Sequence, residues 1–182
     1  MQRPPVNVLV FWSASLIGAY PVFSQAPVTD IDREVAGVKG RLPSLKKDSV
    51  DLTGYSAEGG VAVIYRGAAG PIQLIHVHLF GEGGQSIQDF YFRDGALLLC
   101  QEEFHKYNVP ITIDDSEAKE LGTEAFDPKK TEVVHNRYYF RGNDMIQWRK
   151  NSRTVVASNT PEFRETGENL VRFATELFQR YK

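Results

Sequence analysis

The chain has 182 residues, of which 42% are apolar and 24% charged, and carries a formal net charge of −2. That length suits one domain able to bury its own core, and a near-neutral balance without a block of like charge argues against a nucleic-acid partner. The single cysteine excludes an intramolecular disulfide.

Residues 1–24 read as a secretory signal peptide. Arg3 supplies a positive start, Val8 to Ala19 an apolar core, and Tyr20-Pro21 a break, so cleavage is expected after Ser24. A retained membrane anchor is the alternative. Residues 25–182 are expected to form one α+β domain, periplasmic or secreted, with no membrane span once the leader is removed.

Thr29 or Asp30 is expected to cap a short helix whose apolar stripe is Ile31, Val35, Val38 and Leu42, ended by Pro43. Ser49–Ser56 and Val61–Arg66 read as strands around the turn Ala57-Glu58-Gly59-Gly60. From Pro71 to Lys106 the chain reads as three antiparallel strands, joined by Gly81-Glu82-Gly83-Gly84 and by Asp94-Gly95. Asp-Gly tolerates the positive φ of a two-residue primed turn, so Arg93 should face Ala96. Regular counting from there sets Phe92 against Leu97, Tyr91 against Leu98, Phe90 against Leu99 and Asp89 against Cys100. The first turn closes most simply with Phe80 against Gln85, which sets His76 against Asp89 and Leu74 against Tyr91.

Side chains alternate along a strand. One face should therefore hold Ile75, Val77, Phe90, Phe92, Leu97 and Leu99, and the N-terminal helix is expected to cover it. The other should carry Leu74, His76, His78, Asp89, Tyr91, Leu98, Cys100 and Glu102.

Residues 111–130 read as an acidic surface excursion with one short helix from Asp114-Asp115-Ser116 to Leu121. Thr131–Arg141 and Asp144–Lys150 form a last hairpin, and Arg153–Ala157 a short edge strand. Tyr139-Phe140-Arg141-Gly142-Asn143 echoes Tyr91-Phe92-Arg93-Asp94-Gly95. Carrying the pairing across sets Phe140 against Met145, Tyr139 against Ile146 and Arg137 against Trp148. Thr160-Pro161-Glu162 starts a final helix with Phe163, Leu170, Phe173, Ala174, Leu177 and Tyr181 along one side. The whole reads as a single curved antiparallel meander of about six to eight strands, packed by an N-terminal and a C-terminal helix.

The phrases Phe80-Gly81-Glu82-Gly83-Gly84-Gln85 and Tyr91-Phe92-Arg93-Asp94-Gly95, followed by Asn136 to Asn143, resemble uncharacterised exported bacterial proteins whose sheets are built from aromatic-Phe-x-Asn/Asp-Gly hairpins. The same phrase is similar to the repeats of the MORN-like antitoxin-component family. The resemblance spans residues 80–149 and implies hairpins; no functional residue carries over from it.

His76 and His78, two apart on one strand, project to one side. With Asp89, Tyr91 and Glu102 expected on that same side, these five are the candidate ligand-binding residues. A divalent metal held by His76, His78, Asp89 and Glu102 is the competing arrangement, although spacings such as His-Glu-x-x-His are absent. His76, Asp89 and Cys100 offer the residue types of a thiol triad in the wrong spatial order. His105 and His135 have no evident partner, and Tyr91, Tyr138, Tyr139 and Trp148 could form an aromatic patch. No cofactor is implied. The leading expectation is a non-enzymatic, exported module that binds a small ligand or an envelope protein. The alternatives are a metal-dependent hydrolase and a structural or inhibitory partner of a secreted protein.

Overall fold

The computed structural model describes residues 26–151 and 153–182, so the leader lies outside the described residues. Helix α1 spans Ala26–Arg41 and a 3-10 turn Leu42–Ser44. Eight strands follow: β1 Lys46–Asp51, β2 Gly60–Arg66, β3 Ile72–Gly81, β4 Gly84–Arg93, β5 Ala96–Lys106, β6 Glu132–Arg141, β7 Asp144–Lys150 and β8 Thr154–Val155. Helix α2, Asp115–Leu121, lies between β5 and β6, and α3, Pro161–Tyr181, closes the chain. The strands form one open antiparallel sheet in the order β1 to β8, each beside its neighbour in sequence. The fold is α+β.

The turns follow from residue type. Asp94 and Gly95 both have positive φ, 51° and 80°, as a type I′ turn requires, while in the β6–β7 turn Gly142 alone takes it. Thr160 caps α3 by accepting the Phe163 amide at 3.2 Å, and Asp114 caps α2 through the amides of Ser116 and Glu117. Helix α1 already includes Ala26, so Thr29 and Asp30 lie inside it rather than capping it. Strand β1 also lies earlier than the expected Ser49–Ser56, because the chain turns at Thr53-Gly54, with Gly54 at φ 86°.

The β3–β4 register is the one counted from the sequence: His76 faces Asp89, Leu74 faces Tyr91 and Phe80 faces Gln85. The β4–β5 register is not. Phe92 faces Leu97, but Tyr91 faces Leu99, Phe90 faces Cys100 and Asp89 faces Gln101, so Leu98 is an unpaired bulge residue. The echoed hairpin repeats the departure. Phe140 faces Met145, yet Tyr139 faces Gln147 and Tyr138 faces Trp148, leaving Ile146 as the extra residue and Arg137 opposite Arg149 rather than Trp148.

Each bulge turns two consecutive side chains to one side of the sheet. Leu98 and Leu99 both face α1, packing with Ile31, Val35, Val38, Leu74, Tyr91 and Tyr139. Helix α1 therefore lies on the face expected to be polar. The other face, with Ile75, Val77, Phe90, Phe92, Leu97 and Cys100, is covered by α3 through Phe163, Leu170, Ala174 and Leu177. Full burial of each large apolar side chain contributes about 1.5–3 kcal/mol, so both layers hold the sheet. Neither helix spans its whole face, and what lies beyond α1 is the polar surface described next.

Residues between β5 and β6 are mostly exposed, as expected. Asn108 fastens them by donating to the Ala125 carbonyl at 3.0 Å and accepting the Asp127 amide at 3.1 Å, and Tyr107 packs on Phe126.

Candidate functional site

All four histidines of the chain fall on the α1 face. His76 and His78 alternate along β3 on the side of Leu74, and His105 and His135 share a side with Glu103, which faces His135 across the β5–β6 ladder. His76 donates from Nδ1 to Asp89 at 2.7 Å, and Tyr91 donates to the other carboxylate oxygen at 3.3 Å. The hydrogen bond from Asp89 raises the His76 pKa above its usual value; partial burial opposes this and the aspartate's charge adds to it. Tyr91 is 1% exposed. Burial, followed by the Asp89 charge, pushes its phenol far above the ordinary range, so it stays protonated and orients Asp89 from beneath α1. His78 donates to the Gln85 side-chain oxygen at 2.7 Å, and its ring lies tilted against Phe80, 4.3 Å between centroids.

Glu102 is on the other face. There its Oε1 accepts from Gln88 at 2.9 Å and its Oε2 from Asn136 at 2.9 Å and Tyr138 at 2.7 Å, while Trp148 donates to Asn136. The bulge at Leu98 inverts every residue beyond it, exchanging Cys100 and Glu102 for Gln101 and Glu103 on the α1 side. The five expected site residues are thus split: His76, His78, Asp89 and Tyr91 share a face and Glu102 does not. The thiol row is split the same way. Cys100 is fully buried, and burial drives its thiol pKa well up, keeping it protonated. The aromatic patch is divided too, with Tyr91 and Tyr139 under α1 and Tyr138 and Trp148 on the α3 side, all buried.

The side chains that gather on the α1 face include several the sequence did not single out. A groove of about 290 Å³ at β4, β5 and β6 is lined by Ile87, Asp89, Gln101, Glu103, His135 and Arg137, whose side chains turn to this face, and also by Glu102 and Asn136, whose side chains bond on the other. Helix α1 holds two of the lining side chains: Asp32 accepts from Arg137 at 2.7 Å and from the Tyr139 hydroxyl at 3.2 Å, and Lys39 donates to Gln101 at 2.7 Å. Arg137 also lies over the Tyr139 ring, 5.4 Å from its centroid, with its Nε buried and without a hydrogen-bond partner. Glu103 supplies the partner that His105 and His135 lacked. It accepts from His105 at 2.6 Å and lies 3.6 Å from His135 Nδ1. Glu103 and His105 are two apart and share a side by alternation alone. Their meeting with His135 depends on β6 returning beside β5 after the excursion, for which the sequence has no local signal.

Chemically, the face is a set of paired donors and acceptors, His76–Asp89, His78–Gln85 and His105–Glu103, around a groove with an apolar residue at Ile87. Among the described residues no group of three or more His, Cys, Asp or Glu side chains is disposed to hold a metal ion. No helix among them is long and apolar enough to cross a membrane. Comparison of the chain with family models, curated proteins and solved structures finds no match.

Proposed function

We propose that the chain is an exported, non-enzymatic binding module that seats a small polar ligand or an envelope protein on the half of the sheet left open beside α1. The observation that supports this most directly is the groove over β4–β6, where Asp89, Gln101, Glu103, His135 and Arg137 line one concavity with Ile87. Polar groups converging on a concavity with an apolar element are the ordinary make-up of a ligand site. The hydrolase alternative needs Glu102 beside His76, His78 and Asp89, and that carboxylate is engaged on the far face.

The test is a two-dimensional amide NMR screen of the chain against small polar fragments bearing carboxylate, amine or hydroxyl groups. Shifts clustered at Ile87, Asp89, Gln101, His135 and Arg137, and weakened in Arg137→Ala, support the reading. Shifts scattered over both faces, or indifferent to Arg137, sink it.

Export is part of the same proposal and rests on residues 1–24. The apolar run from Val8 and the break at Tyr20-Pro21 support a cut after Ser24. N-terminal sequencing of the protein recovered from a bacterial periplasm should begin at Gln25; a chain retained in membranes with Met1 intact would remove this part of the proposal.

A further inference from the structure

Strand β1 is one edge of the sheet, and its residues are exposed except for Val50. The hydrogen bond from the Leu52 amide to the Gly60 carbonyl, 2.8 Å, fixes which of its backbone groups are used. In an antiparallel ladder the bonded positions alternate. Leu52, Val50, Asp48 and Lys46 therefore exchange bonds with β2, while Lys47, Ser49 and Asp51 turn their N–H and C=O groups outward. All three have exposed side chains, and neither Lys47 nor Asp51 makes an ion pair among the described residues.

From this edge we infer a self-association surface: β1 pairs antiparallel with β1 of a second copy about a two-fold axis through Ser49. That register opposes Ser49 to Ser49 and Lys47 to Asp51 of the second copy, with every outward backbone group used. Moving the centre to Asp48 or Val50 would set Asp51 against Leu45 or Lys47 against Thr53. The register centred on Ser49 is therefore the one in which charge and hydrogen bonding agree. A lysine on an exposed edge ordinarily discourages pairing; here Asp51 lies at the spacing that neutralises it in a symmetric partner, and opposite charges directly across a ladder are stabilising. The axis is normal to the sheet, so the two copies form one continuous sheet whose α1-side grooves open in the same direction. The pairing does not depend on what those grooves bind.

Sedimentation velocity of the full chain over a dilution series tests it. The expected result is a reversible species of twice the 20.5 kDa chain mass. Ser49→Pro removes an outward N–H that β2 does not use and should shift the equilibrium to monomer. Lys47→Asp and Asp51→Lys should each weaken the dimer roughly tenfold or more, because each sets like charges opposite one another twice per dimer. Combining the two restores opposite charges and should recover the dimer. A monomer at every dilution overturns the proposal. So does a dimer that ignores all of these substitutions, since it would be held by another surface.

Discussion

Leu98 and Ile146 occupy the same place in two successive hairpins: each is the extra residue that follows a tight turn and has no partner across its ladder. Each is preceded across the turn by Tyr-Phe-Arg, and each sends its side chain toward α1. Both hairpins thereby add an apolar side chain beneath the same helix.

The bulge makes Leu99 a core residue on the α1 side, with no exposed surface. Leu99→Ala is expected to cost about 2–5 kcal/mol of unfolding free energy, as truncations at fully buried leucines do. Leu121→Ala, at a leucine 62% exposed on α2, should stay within about 0.5 kcal/mol of wild type. Urea denaturation at one pH gives both, and equal effects would contradict the burial described for Leu99.

Deleting Leu98 should be worse than truncating it. Removal of the unpaired residue would let β5 pair regularly, turning Gln101 and Glu103 toward α3 and Cys100 and Glu102 toward α1. The expected outcome is loss of cooperative thermal unfolding, while Leu98→Ala retains it with a lowered midpoint. A deletion variant as stable as wild type would show that the register can slip without consequence.

Glu102 holds three donors on the α3 side. In Glu102→Ala the side chains of Gln88, Asn136 and Tyr138 lose their acceptor, and stranding partly buried donors costs roughly 1–3 kcal/mol. Guanidinium unfolding should register the loss. The groove lies on the other face, so fragment binding at Arg137 should persist in this variant.

Asp89 raises the His76 pKa above its usual 6.5, so the protonated ring favours the folded state. That contribution is complete below pH 6.5 and fades as pH rises through the raised value. The urea midpoint of Asp89→Asn should therefore fall furthest below wild type in mildly acid solution and approach it above the raised pKa. The His76 ring resonances should titrate at a lower pH in the variant. A difference between the two proteins that does not vary with pH would remove the His76–Asp89 pair as its cause.

Asp32 ties α1 to the groove by accepting from both Arg137 and Tyr139. In Asp32→Ala, amide exchange should accelerate in α1 more than in α3, which has its own cap and apolar seam. Uniform acceleration across both helices would mean that the α1 contact has no separate role.

Much of the architecture was legible locally. The Asp94-Gly95 turn and the Thr160-Pro161 helix start are each written in neighbouring residues and stand as read, while the loop read at Gly81–Gly84 tightens to Glu82-Gly83, with Gly81 paired to Gly84. The β3–β4 pairing followed from its turn alone, which is why His76 and Asp89 were matched correctly. Glu102 was misplaced for an equally local reason: Leu98 looks like any other leucine in an apolar run, and nothing in Ala96-Leu97-Leu98-Leu99-Cys100 marks which residue is skipped. The α1 stripe of Ile31, Val35 and Val38 was read correctly, but its target was not.

Residue order and turn chemistry by themselves determined a meander of about six to eight strands, its sequential antiparallel pairing and the apolar seam of the last helix, because each depends on contacts between residues close in the chain. Only the tertiary structure decided which sheet face each helix covers, and hence which polar residues stay open to solvent. The physical reason is that a bulge is accepted where a second apolar side chain gains burial beneath a packed helix. That gain exists only once α1, remote in sequence, lies across β3 to β6, and the same event turns the paired Glu103 and His135, with Arg137, to the α1 side.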